Sequence, residues 1–164
     1  MNQTMGEYIM SKTLIAYFSV SGNTKALAGV LGTMMSADVF EIRPEVPYTD
    51  ADVRYTNPLA RCNKEKIGRK DVAIAETVPN FEDYDMVYLG FPIWYYGAPN
   101  IIQTFCSSYD WTGKKVALFA TSGGSSIGKT MEKLRPYFRG EPELVSARVF
   151  PAPDDLQNWA EEMK

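Results

Sequence analysis

The sequence predicts an α/β domain built on a doubly wound parallel sheet. Two observations carry this. Five short apolar runs of strand length recur along the chain, at 13–18, 38–42, 86–91, 116–120 and 144–150. Between them lie stretches whose apolar residues return at helical spacing. Strand and helix patterns alternate through 164 residues, the length of one domain. Residues 1–10 precede the first strand and read as an N-terminal extension to a domain over 11–164.

The elements follow in order. Thr13-Leu14-Ile15-Ala16-Tyr17-Phe18 is dense enough in apolar side chains to be buried on both faces. A polar turn, Ser19 to Asn23, follows it. Leu27, Val30, Leu31, Met34 and Met35 then fall on one helix face. Asp38 to Ile42 is a second strand. Residues 43–57, rich in Pro and Asp, predict a long loop, and a helix is expected from about Leu59 to Ile67. Met86 to Phe91 is the third strand, followed by an apolar stripe of Ile101, Ile102, Phe105 and Cys106. Val116 to Ala120 is the fourth. Ile127, Met131, Leu134 and Phe138 form the next stripe, with Ser125 and Ser126 as its expected cap. Leu144 to Phe150 is the fifth strand. Leu156, Trp159, Ala160 and Met163 mark a last helix behind Asp154 and Asp155.

Composition removes several functions. There is no His, which excludes a Ser-His-Asp triad and a His-based zinc site. Lys plus Arg is 17 against 20 Asp plus Glu, a net charge of −3 that gives no general attraction for nucleic acid. Cys62 and Cys106 fit no ligand spacing and are expected as reduced, buried thiols. No metal site is predicted. No apolar run approaches the roughly 18 residues of a membrane span. Residues 1–12 lack the pattern of a secretory signal, so a cytoplasmic location is expected.

Sheets of this class bind ligands beyond the carboxyl ends of their strands, and three loops there carry unusual chemistry. Ser19-Val20-Ser21-Gly22-Asn23-Thr24 offers four polar side chains around a Gly at a helix start. One such residue would serve as a cap; four suit a phosphate held by helix amides. Phe91-Pro92-Ile93-Trp94-Tyr95-Tyr96-Gly97-Ala98-Pro99 places three aromatics between prolines, where they cannot all face the core. Such a run suits a flat aromatic ligand. In Thr121-Ser122-Gly123-Gly124, the two glycines let backbone approach a ligand edge. Gly123 to Thr130 also matches the G-x-x-x-x-G-K-[ST] phosphate loop. Its context is unsuited to a triphosphatase: it follows the fourth strand, and only 34 residues remain after Thr130.

Taken together, Ser19-x-Ser21-Gly22-Asn23-Thr24, Pro92 to Gly97 and Thr121 to Gly124 resemble the flavodoxin family, more narrowly its short bacterial flavodoxin-like members. The resemblance runs from about Thr13 to the C-terminus. It implies a five-stranded sheet of order 2-1-3-4-5 with helices on both faces, and flavin mononucleotide (FMN) as cofactor. Ser19, Ser21, Gly22, Asn23 and Thr24 would hold the phosphate. Pro92, Ile93, Trp94, Tyr95, Tyr96 and Gly97 would line the ring, and Thr121, Ser122, Gly123 and Gly124 would border its other edge. No catalytic acid or base is then required, because the flavin carries the electron chemistry.

Three functions follow in order of preference. The first is an electron carrier between redox partner proteins. The second is an FMN-dependent NAD(P)H:quinone-type reductase acting on small acceptors, since Phe91-Pro92-x-x-Tyr95-Tyr96-Gly97-x-Pro99 also resembles that loop. The third is the triphosphatase. A receiver domain is rejected, because the first strand ends in Tyr17-Phe18-Ser19 without a carboxylate cluster. Residues 51–70 hold six Lys and Arg against Asp52 and Glu65, a local +4 that reads as a solvated face or as a cationic rim for an anionic partner. Carrier flavodoxins are commonly strongly acidic, so this chain departs from them.

Overall fold

Each strand lies beside another that runs the same way, and the sheet order is β2-β1-β3-β4-β5. The computed structural model describes residues 12–68, 70–95, 97–122, 126–151 and 155–162. The strands are β1 (Lys12–Tyr17), β2 (Asp38–Glu41), β3 (Tyr84–Pro92), β4 (Lys115–Thr121) and β5 (Glu143–Val149). The helices are α1 (Asn23–Met35), α2 (Arg61–Gly68), α3 (Asn100–Ser107), α4 (Thr130–Leu134) and α5 (Leu156–Glu162). The expected extension at 1–10 lies outside the described residues.

Alternation along the strands builds two cores. Leu14, Ala16, Val87, Leu89, Val116 and Leu118 point to one face, where Ile101, Ile102 and Phe105 of α3 and Leu134 of α4 cover them. Ile15, Tyr17, Tyr88, Ala117 and Phe119 point to the other, beneath Leu27, Ala28 and Leu31 of α1 and Leu156 and Trp159 of α5. Both faces are therefore dry, which is why the strands are nearly continuous apolar runs. The Trp159 indole N–H donates to Ser146 Oγ at 2.8 Å, fastening α5 to β5. Gly90 of β3 lies opposite Phe119 of β4. A Cβ at Gly90 would stand 2.2 Å from Phe119 Cζ, so only glycine leaves room for that ring.

Several expectations change. Val30 is exposed, and Ala28 and Gly32 take its place on the buried face of α1. The stripe from Ile127 to Phe138 is not one helix. α4 has five residues and passes into a 3₁₀ turn at Arg135–Tyr137, where Pro136 lacks the N–H to continue it. Ser126 does not cap α4; Lys129 occupies that position. Ser125, Asp154 and Met163 lie outside the described residues. The helix expected at 59–67 is α2, and the long loop before it contains a 3₁₀ turn at Ala51–Val53. Cys62 and Cys106 are free and buried.

Burial pushes the Tyr88 phenol up to about 12. Burial, and then its hydrogen bond to Asp38, does the same for Tyr84, also to about 12. The unfolded chain ionises these phenols near their ordinary value of about 10. Stability is thus full below pH 10 and falls as pH rises toward 12, because the unfolded state then binds fewer protons. The melting temperature is expected to drop between pH 9 and pH 11.5, and Tyr88→Phe should blunt that drop.

Candidate functional site

The chain leaves β1 for β2 on one side and reaches β3 on the other, so the strand order reverses at β1. Loops at this point diverge and open a crevice. A cavity of about 480 Å³ lies there. It is lined by Ser21 and Asn23 at the start of α1, Pro92, Ile93 and Trp94 at the end of β3 and beyond it, and Thr121 and Ser122 at the end of β4. The three stretches singled out in the sequence therefore meet at one place.

The polar end is built by the start of α1. Gly22, at φ 97°, takes a left-handed turn that a side chain would strain. Its amide donates to Ser19 Oγ at 3.1 Å, which folds the loop on itself. No side chain caps α1, although Ser21, Asn23 and Thr24 surround its start, and no acidic residue occupies its first turn. The helix thus presents amides and the positive end of its dipole beside the cavity. Thr24 is buried, and its hydroxyl shares a hydrogen bond of 2.8 Å with that of Thr121. This bond spans 97 positions and ties the first loop to the third.

The apolar end is built by the loop after β3. Trp94 packs edge-on against Phe18 and Tyr48, with ring centroids 5.6 and 5.5 Å apart. Trp94 and Gly97 exchange backbone hydrogen bonds at 2.8 and 3.0 Å, closing a tight turn. Tyr95 holds φ at 54° in that turn, and its hydroxyl points to the Cys62 thiol at 3.6 Å. Burial, then the thiol, pushes this phenol above its ordinary range. Tyr95 and Gly97 therefore shape the wall without lining the cavity. Tyr96, Gly123 and Gly124 lie outside the described residues.

The sequence did not mark Tyr55, Phe150 and Pro151, which also line the cavity. Phe150 and Pro151 follow β5, so the strand-end rule extended by one strand finds them. Tyr55 stands in the loop before α2, where no spacing signals it. No Asp, Glu, Lys or Arg lines the cavity among the described residues. In the phosphate-loop match, Thr130 is buried and its hydroxyl donates to the Ile127 carbonyl at 2.5 Å. That hydroxyl would have to face a magnesium ion in a triphosphatase.

The family model described as Flavodoxin matches residues 12–163. A candidate flavoprotein from Bacteroides eggerthii is 35% identical, with a TM-score of 0.82 over 93% of this chain and 98% of that one. Another from Bacteroides uniformis is 32% identical, with a TM-score of 0.80 over 92% and 98%. A flavoprotein from Lactobacillus acidophilus, solved in complex with FMN, shares the fold at 24% identity, with a TM-score of 0.71 over 92% and 99%. Among curated proteins, none matches this sequence. With a parallel sheet ordered 2-1-3-4-5 and a family match from the first strand through the last helix, the chain belongs to the flavodoxin family.

Proposed function

We propose that the cavity binds FMN and that the protein transfers electrons through it. The observation that carries this reading is the start of α1. Polar side chains surround it, none caps it, and two of them line the same cavity as Trp94 and Thr121. The volume suits a small-molecule cofactor. The relative from Lactobacillus acidophilus, whose FMN complex has this fold, agrees with it.

Ser21, Asn23 and the first amides of α1 would hold the phosphate by charge-assisted hydrogen bonds. Ser19 keeps the loop folded, through the amide of Gly22. Ile93, Trp94 and Phe150 supply the apolar wall for the ring. Bound there, FMN would supply the electron chemistry between redox partners. An apolar wall resists added negative charge, so these residues lower the potential of what they hold. Among the described residues, the lining offers no carboxylate or amine for acid–base work.

Titration of FMN into the cofactor-free chain tests this reading. One FMN per chain is expected to lose its fluorescence, with Kd below about 1 μM. Absence of uptake in excess FMN overturns the proposal. The loaded protein is then offered NADPH. Slow reduction supports a carrier, and rapid turnover with a quinone supports the reductase alternative.

A further inference from the structure

The excursion between β2 and β3 carries features that the cofactor cavity does not use. It is knit into one unit. The Arg61 guanidinium donates to the carbonyls of Val46 and Pro47, and the Asn63 amide to those of Tyr55 and Asn57. It is also fastened to the cavity wall. Asn100 donates to the carbonyls of Glu65 and Lys70, Cys62 meets the Tyr95 hydroxyl, and Tyr48 packs on Trp94.

Two properties mark its outer surface. Exposed large apolar side chains concentrate there. Of the eight among the described residues, Val46, Tyr55, Leu59 and Ile67 belong to this unit, and Ile67 is 83% exposed. A fifth, Tyr95, is bonded to it. The charge is also inverted. Residues 46–70 hold six Lys and Arg against Asp50, Asp52 and Glu65, a charge of +3 within a chain of −3, which leaves −6 on the remainder. Among the described residues Arg61 is paired with Glu65, whereas Arg54, Lys64, Lys66 and Lys70 pair with no carboxylate. Solvation alone explains scattered lysines, but not their clustering with exposed apolar side chains on an otherwise acidic molecule.

We infer that the 46–70 unit is a docking surface for an acidic protein partner. This rests on the proposed redox role and names the side from which the partner approaches. Tyr55 belongs both to this surface and to the cavity lining, so a partner seated here lies against the cavity mouth. The opposite charges of the two parts of the chain orient an acidic partner during approach. The apolar side chains lie in turns and on an eight-residue helix. They form no long amphipathic face of the kind that lies in a membrane surface.

The probe is an acidic plant-type [2Fe–2S] ferredoxin, titrated calorimetrically into the chain with and without FMN at about 20 and 500 mM salt. Binding is expected at low salt and at least tenfold weaker at high salt. Lys64→Glu combined with Lys70→Glu should weaken it at least tenfold at low salt; both side chains are exposed, so folding is retained. Ile67→Ser should weaken it severalfold. Basic cytochrome c should not lose affinity with the charge reversal. No ferredoxin binding, affinity unmoved by the charge reversal, or binding to phosphatidylserine vesicles in place of ferredoxin each overturns the inference. FMN uptake is measured separately. Its failure overturns the cofactor reading alone, because the titration without FMN still decides the docking surface.

Discussion

A chain carrying both Ser21→Ala and Asn23→Ala is expected to bind FMN about 10²- to 10⁴-fold more weakly than the unaltered protein. A hydrogen bond to a charged acceptor contributes roughly 1.5–3 kcal/mol. Two lost bonds give roughly 3–6 kcal/mol, at about 1.4 kcal/mol per decade of affinity. The helix amides remain, so binding weakens and is not abolished. Both side chains are exposed and neither caps α1, so the folded state should lose no more than about 0.5 kcal/mol. Thr24 is a poorer target, because its hydroxyl is tied to that of Thr121 and its removal disturbs two loops at once. Riboflavin, which has the ring and no phosphate, supplies the control. The double variant should bind riboflavin as the unaltered chain does. Equal losses for FMN and riboflavin would mean that these residues shape the whole cavity, and undiminished FMN affinity would remove the phosphate assignment.

The parts of this molecule that were legible in the sequence are those fixed by local pattern. A strand buried on both faces has to be apolar throughout, and β1, β3 and β4 announce themselves in that way. The three loops were legible for a related reason. Strand ends in this topology face the crevice, so polar, aromatic and glycine-rich loops there have a common destination. What stayed hidden depends on contacts far apart in sequence. Nothing around Thr24 announces Thr121, and nothing around Tyr95 announces that its hydroxyl is spoken for by Cys62 on α2. The aromatic loop read as a run of ligand-facing rings. In the fold, Trp94 does line the cavity while leaning on Phe18 and Tyr48, but Tyr95 turns to the thiol. The 43–57 stretch was legible only as a loop, because Arg61 and Asn63 of α2 give it its shape through backbone carbonyls that no side-chain pattern records.

Trp111→Ala is expected to cost the fold about 3–5 kcal/mol without changing the affinity of the folded chain for FMN. Trp111 is fully buried just before β4. Its ring meets Phe81 and Phe138 edge-on, with centroids 4.8 and 4.9 Å apart, and Phe105 lies at 6.0 Å. Its indole N–H donates to the Cys106 carbonyl at 2.8 Å, which fastens the chain entering β4 to the end of α3. Alanine removes the ring and leaves that carbonyl without its partner, so both losses act together. Against a total stability of about 5–15 kcal/mol, the urea midpoint should fall by a large fraction. Trp111→Phe keeps most of the volume and should cost clearly less. Trp111 stands at the amino ends of the strands, whereas the cavity opens at their carboxyl ends, so the two should be energetically separate. FMN at about 100 times its Kd should then return roughly 2.7 kcal/mol to the variant and to the unaltered chain alike. A Kd that moved with Trp111 would show instead that the aromatic cluster sets the shape of the cavity through the length of the sheet.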